Sequence, residues 1–326
     1  MPPEWHLHDA TWMAFPPAVY EGASSLAEAR AAWCAVVRAV AQFEPVRLMV
    51  RPEDLDIARS LLGNAATYVP MELNDAWARD IGPTFVTNAS EITAVNWRFN
   101  GWGAQSWSQW DADEKAATAV ATELDVDRYD VDLVNEGGGI EVNGTGVVLA
   151  TTTVQLDPAR NGTLSRDDVE QRLSDALGVS TVVWFSRGLT GDYDEFGTRG
   201  HVDLLAKFVT PELAVIHEQT DPHHPDFAVS REIRSRLTDG GFEVVGVAAP
   251  TDVATDGRVG DWSYVNSYFT NDAIVVGTYG DGADDAAVAT FRTLCPDRRV
   301  VTVDARPLFA LGGGVHCITQ QQPRVG

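Results

Sequence analysis

Cysteine is scarce in this chain: Cys34, Cys295 and Cys317 are the only three among 326 residues. No C-x-x-C pair occurs, so the sequence encodes neither a disulfide framework nor a structural zinc site. Lysine is scarcer still, at Lys115 and Lys207 alone, and 24 basic against 47 acidic residues give a formal charge of −23. A field of that sign repels nucleic acid and anionic membrane surfaces, and it draws cations toward acidic clefts. Long apolar runs are missing too. The stretch Ala273-Ile-Val-Val276 is typical, far short of the ~20 residues that cross a bilayer. The opening Met1-Pro-Pro-Glu-Trp-His6 has neither the basic nor the apolar region of a secretory leader, and a cytoplasmic protein is expected. No low-complexity linker or composition break divides the chain, so one domain is expected over residues 1–326.

What is present is an alternation of helical and strand patterns, which is α/β material. Trp33, Val36, Val37 and Val40 share one face of a helix expected over Ser24–Phe43. A capping-box pattern opens at Ser165-Arg-Asp-Asp168; Val169, Leu173 and Leu177 follow at helical spacing, and Gly178 is the stop. Further helices are expected at 227–237 and 284–294. Strands are expected at 46–50, 181–185, 204–209, 213–217, 244–247, 273–277 and 300–303.

Polar clusters interrupt this alternation at fairly even steps. They are Asp75-Ala-Trp-Ala-Arg-Asp80, Asn135-Glu-Gly-Gly-Gly139, Gly200-His-Val-Asp203, Tyr264-Val-Asn266 and Gly312-Gly-Gly-Val-His-Cys317. From Asp80 through Glu136, His201 and Asn266 to Cys317 the steps are 56, 65, 65 and 51 residues. Polar residues recurring at the same point of successive α/β units imply modules set about a shared centre.

The chemistry follows from the residue types. Three glycines before Cys317 let the backbone approach a ligand closely, whereas Cys34 inside a helix and Cys295 before Pro296 read as buried, inert thiols. His201 and Asp203, two apart in an apolar segment, are expected on one face of a strand. Burying them is costly without partners. Asp80 and Glu136 add two more carboxylates. A cysteine peptidase needs a Cys–His pair and an oxyanion hole, not a ring of negative charge. A guanidinium, with its planar fork of five donors, is gripped by such carboxylates. His223 and His224 lie in a proline-bounded loop without a third ligand. They are expected to be dispensable, and no metal is expected.

At these residues the chain resembles the agmatine deiminase family of the guanidine-modifying (pentein) superfamily. The resemblance runs through Glu4-Trp-His-Leu-His-Asp-Ala-Thr-Trp-Met-Ala-Phe-Pro16, Asn74-Asp-Ala-Trp-Ala-Arg-Asp-Ile-Gly-Pro83, Glu136-Gly-Gly-Gly and Leu156-Asp-Pro-Ala-Arg-Asn161. It continues in Gly200-His-Val-Asp203 and Gly312-Gly-Gly-Val-His-Cys-Ile-Thr-Gln-Gln-Gln-Pro323. It implies a five-bladed α/β propeller with the site on its axis. Cys317 would be the nucleophile and His201 the general acid and base. Asp80 and Asp203 would hold the guanidinium, Glu136 would be a further carboxylate of the site, and Trp77 an indole near the substrate. The implied partner is a small cationic guanidinium compound, agmatine first, with no cofactor. Relatives also suggest a homodimer, for which the residues themselves offer no interface signature. Asp192–Gly200 departs from the shorter stretch of plant-type relatives, which leaves the far end of the substrate open. Free arginine, with Arg199 receiving its α-carboxylate, is one alternative, and peptidyl arginine another. Amidino transfer to an amine and a non-catalytic guanidine-binding module are the others.

Overall fold

The computed structural model describes residues 1–18, 25–88, 90–251 and 260–325. Five small sheets contain all sixteen of its strands. The first sheet holds β1 (His8–Ala14), β2 (Val46–Val50) and β3 (Thr67–Pro70). The second holds β4 (Thr84–Thr87), β5 (Ile92–Arg98) and β6 (Asp127–Val134), and the third β7 (Ile140–Val142), β8 (Val147–Thr151) and β9 (Thr181–Phe185). In the fourth lie β10 (Ala206–Phe208), β11 (Leu213–Glu218) and β12 (Glu243–Ala248), and in the fifth β13 (Tyr268–Phe269), β14 (Ala273–Thr278) and β15 (Arg299–Asp304). The last strand, β16 (Gln320–Pro323), returns to β1 and completes the first sheet.

One unit is repeated. Each leading strand (β4, β7, β10, β13, β16) runs antiparallel to its neighbour, and that neighbour runs parallel to a third strand. Parallel neighbours need a crossover, usually a helix. The helices Leu26–Val40, Ala116–Leu124, Arg166–Leu177, Phe227–Asp239 and Asp284–Leu294 supply it in the five units. The result is a five-bladed α/β propeller.

Local sequence accounts for much of this. Ser25 caps the first helix and Glu28 closes the capping box, an arrangement that contributes about 1 kcal/mol. Ala29, Trp33, Val36, Val37 and Val40 are buried along one face. The expected start at Ser24 lies outside the described residues. Ser165 and Asp168 form the second box, and Gly178 ends that helix at φ +68°. Central β14 is buried over nearly its whole length, as a strand covered on both faces must be. Edge strand β6 begins with four exposed residues, three of them charged, which blunts it against pairing with another chain. No helix among the described residues is long and apolar enough to cross a membrane.

One local expectation fails. His201 and Asp203 do not lie on a strand: His201 precedes a single 3₁₀ turn, Val202–Leu204, and β10 begins only at Ala206. The buried Asp192 carboxylate draws in the amides of Thr198 (2.6 Å), Gly200 (2.5 Å) and His201 (3.2 Å). Amides bound to a side chain cannot join a ladder.

Candidate active site

The repeat carries the chemistry with it. Asp80 precedes β4, Glu136 precedes β7, His201 and Asp203 precede β10, Asn266 precedes β13, and Cys317 precedes β16. Each lies within the few residues ahead of its leading strand, so five equivalent corners of the propeller meet.

Asp80 sits in the short helical turn Ala78–Ile81. Its Oδ1 accepts from the Gly138 amide at 3.0 Å and its Oδ2 from the Trp102 indole at 2.9 Å. Glu136 is fully buried; Arg160 Nε lies 3.0 and 3.1 Å from its two oxygens, and His201 Nε2 is 3.2 Å from Oε2. The other ring nitrogen, His201 Nδ1, makes no hydrogen bond and lies 3.9 Å from Asp80 Oδ1. Asp203 Oδ2 is 2.7 Å from His316 Nδ1, while its buried Oδ1 takes no hydrogen bond. Cys317 Sγ is 3.6 Å from Asp203 Oδ2 and receives the Asn266 amide at 3.3 Å. The Cys317 carbonyl accepts from the Arg79 amide at 3.1 Å, which ties the cysteine to the turn bearing Asp80.

Glycine keeps the centre open. A Cβ on Gly138 would stand 2.5 Å from His201 Nδ1 and 3.1 Å from both Asp203 Oδ2 and Asp80 Oδ1. One point in space thus touches three of the expected residues. Gly313 does the same for the fourth and fifth: its Cβ would lie 2.7 Å from the Trp77 indole and 3.1 Å from Cys317 Sγ. Gly138→Ala is expected to lower kcat/KM about a hundredfold or more, the scale of a 1 Å misplacement at a reacting centre. Steady-state ammonia release beside a thermal melt checks this. Near-normal turnover would show that the space in front of Gly138 is not used.

The electrostatics divide the carboxylates. Burial works against ionised Glu136, but Arg160 and His201 outweigh it and hold its pKa at about 2. Burial likewise works against the His201 imidazolium; Asp80, Glu136 and Asp203 prevail and lift it to about 9. Asp80 is raised, because burial exceeds the pull of His201. Asp203 is lowered: burial opposes ionisation, and His316 more than offsets it. Burial pushes the Cys317 thiol well above its ordinary value, with Asp203 and Asp80 adding to the effect. These shifts leave the Cys317 thiol neutral and the His201 imidazole protonated near neutral pH. Cys34 and Cys295 are buried thiols with raised pKa values, chiefly from burial.

All six expected residues are brought together, with Glu136 turned toward Arg160 and His201. Residue patterns alone missed several partners. Arg160 stands in the Leu156–Asn161 motif without an assigned task, and Asn266 was marked only by its spacing. Trp102 had no local signal beyond the density of indoles from Trp97 to Trp110. It stacks on Trp107 at 5.2 Å, and Trp107 meets Phe196 of the departing segment at 5.4 Å.

A propeller whose corners join a cysteine, a histidine and paired carboxylates suits attack on a guanidino carbon, and its relatives make the chain a hydrolase of guanidino carbon–nitrogen bonds. The model of the Porphyromonas-type peptidyl-arginine deiminases matches residues 1–323. A provisionally named agmatine deiminase of Streptomyces coelicolor is 48% identical, covering 99% of this chain and 98% of its own. The solved agmatine deiminase of Enterococcus faecalis superposes with a TM-score of 0.95 at 31% identity, over 100% of this chain and 96% of that one. A provisionally named arginine deiminase from Porphyromonas gingivalis gives 0.89 at 26%, over 99% and 97%. The chain belongs to the agmatine deiminase family.

Proposed function

We propose that this enzyme hydrolyses agmatine to N-carbamoylputrescine and ammonia through a thiouronium on Cys317. The observation that carries the reading is the shared space in front of Gly138, edged by Asp80, Asp203 and the free Nδ1 of His201, with Cys317 Sγ 3.6 Å from Asp203. A guanidinium seated there donates to Asp80 and to Asp203, whose buried Oδ1 has no hydrogen-bond partner of its own. Its positive charge offsets the two carboxylates that hold the Cys317 proton in place, so the thiol gives that proton up to solvent as substrate arrives. The same charge weakens the hold of Asp80 and Asp203 on the His201 proton.

The thiolate attacks the guanidinium carbon, and His201 Nδ1 protonates the departing nitrogen as its bond to carbon breaks. Ammonia leaves, and the carbon remains bonded to sulfur. His201, now neutral, takes a proton from water; the hydroxide adds to the same carbon, and as the carbon–sulfur bond breaks the hydroxyl proton passes to the departing sulfur, which releases the ureido product and restores the Cys317 thiol. Glu136, held by Arg160, keeps the imidazole oriented with Nδ1 toward the substrate. Asn266 steadies the sulfur.

Agmatine is favoured over free arginine by the state of the nearby cations. Arg160 is engaged with Glu136, Asp157 and the Thr198 carbonyl, and Arg79 with Glu4 and Gln321. Arg199, the residue considered for an α-carboxylate, is exposed. An ammonia-release assay over agmatine, arginine, a peptidyl arginine and guanidinoalkylamines of other lengths tests the assignment. Agmatine is expected to have the highest kcat/KM; activity with arginine but not agmatine would overturn the choice of substrate.

A further inference from the structure

Beneath Asp203 and Cys317 lies a second buried cluster of charge, centred on Glu4. Its Oε1 accepts from Lys207 Nζ at 2.8 Å and from the Phe269 amide at 2.9 Å. Its Oε2 accepts from Arg79 Nη2 at 3.1 Å and lies 2.7 Å from His316 Nε2. Glu4, Arg79, Lys207 and His316 are all buried. Four donors on one carboxylate nearly fill its lone-pair directions. Burial opposes ionisation of Glu4, yet Lys207, His316 and Arg79 hold its pKa well below the carboxylate range.

The donors are not scattered. Arg79 adjoins Asp80, Lys207 follows Asp203 on the same stretch, Phe269 follows Asn266, and His316 adjoins Cys317. His316 faces carboxylates at both ring nitrogens, with Glu4 Oε2 on one side and Asp203 Oδ2 on the other, each at 2.7 Å. Its amide also donates to Asn266 Oδ1 at 2.9 Å, and the amide nitrogen of that same side chain meets Cys317 Sγ.

We infer that Glu4 is a positioning residue of the hydrolase proposed above: through His316 it sets the orientation of Asp203 and, with Asn266, the place of Cys317. The imidazole can hold Asp203 Oδ2 only while its far nitrogen is anchored, and Glu4 is that anchor. Asp203 then keeps Oδ1 free for the substrate. Without the carboxylate, Arg79, Lys207 and His316 lose the acceptor they share, and a ring released at Nε2 no longer fixes Asp203.

Glu4→Gln tests this, because an amide puts two donors where the site presents donors already. On the best substrate of the assay, Glu4→Gln is expected to lower kcat/KM at least tenfold. His316→Gln should do the same, and adding Glu4→Gln to His316→Gln should cost less than a further threefold. Non-additivity separates a route through His316 from general loosening, and melts of each variant report the latter. Equal factors in both backgrounds, or a Glu4→Gln enzyme within twofold of wild type, would overturn the inference. If Glu4→Gln is not recovered folded, Glu4→Asp keeps the charge beside Arg79 and Lys207 while withdrawing from His316. A tenfold loss is again expected, and wild-type kcat/KM would be fatal to the idea. Wild-type ammonia release is the control: its absence sinks the hydrolase reading, whereas normal turnover in both wild type and Glu4 variants sinks only the relay.

Discussion

Cys317→Ala and Cys317→Ser are expected to abolish ammonia release from a folded protein, with losses on the order of 10⁴-fold or more, as for other covalent nucleophiles. Serine places a hydroxyl where the sulfur stood, but a bound cation cannot ionise it near neutral pH. Cys34→Ala and Cys295→Ala are expected to remain active. Cys34 lies in the buried face of the first helix, and Cys295 caps the helix Asp284–Leu294; neither is among the groups around Gly138. Mass spectrometry of wild type quenched during turnover should show substrate-derived mass on the peptide that contains Cys317. Substantial turnover in folded Cys317→Ala would end the covalent mechanism.

The second large effect concerns the two carboxylates proposed to grip the cation. Asp80→Asn and Asp203→Asn each remove a charge at nearly constant shape. Truncating one partner of a buried charged pair typically costs about 2–5 kcal/mol, which is roughly 30-fold to several thousandfold in kcat/KM at 1.4 kcal/mol per decade. Their effects on stability should differ in sign. Asp80 has a raised pKa, with burial the main cause, so its charge destabilises the folded protein at neutral pH. The Asp80→Asn midpoint should hold or rise. Asp203 has a lowered pKa, because its bond to His316 outweighs burial. Its contribution is present above the unfolded pKa and lost as pH falls through the folded one, so Asp203→Asn should melt lower at neutral pH. Kinetics and melting curves on both variants decide the matter. Normal kinetics with lowered midpoints would make both carboxylates part of the scaffold alone.

How much of this was legible depends on the range of the interaction. Strands 46–50 and 181–185 and the helix 284–294 have the expected bounds, because apolar runs and flanking breakers are local. The five polar clusters fall at the five leading strands, a regularity already visible in the spacing. His201 and Asp203 were misplaced onto a strand, since Val202, Leu204 and Leu205 look like one and the Asp192 carboxylate that captures the amides lies outside the window. Glu136 is expected from the sequence as a further carboxylate of the site, but the neighbours the structure gives it were not legible. Arg160 lies 24 residues away and His201 65. Glu4 and His316 are 312 apart, and no periodicity joins them.

The return of β16 to β1, with Pro323 opposite His8, sets an order on the chain's birth. A ribosome makes Asp80, Glu136, His201 and Asp203 well before it makes Cys317 and the strand that docks it. Until residues 320–323 emerge, the first sheet lacks its leading strand, and the carboxylates have no sulfur to work with. Cys317 is thus made last, after the residues of the other four corners, and a nascent chain short of it lacks the sulfur on which the proposed turnover depends.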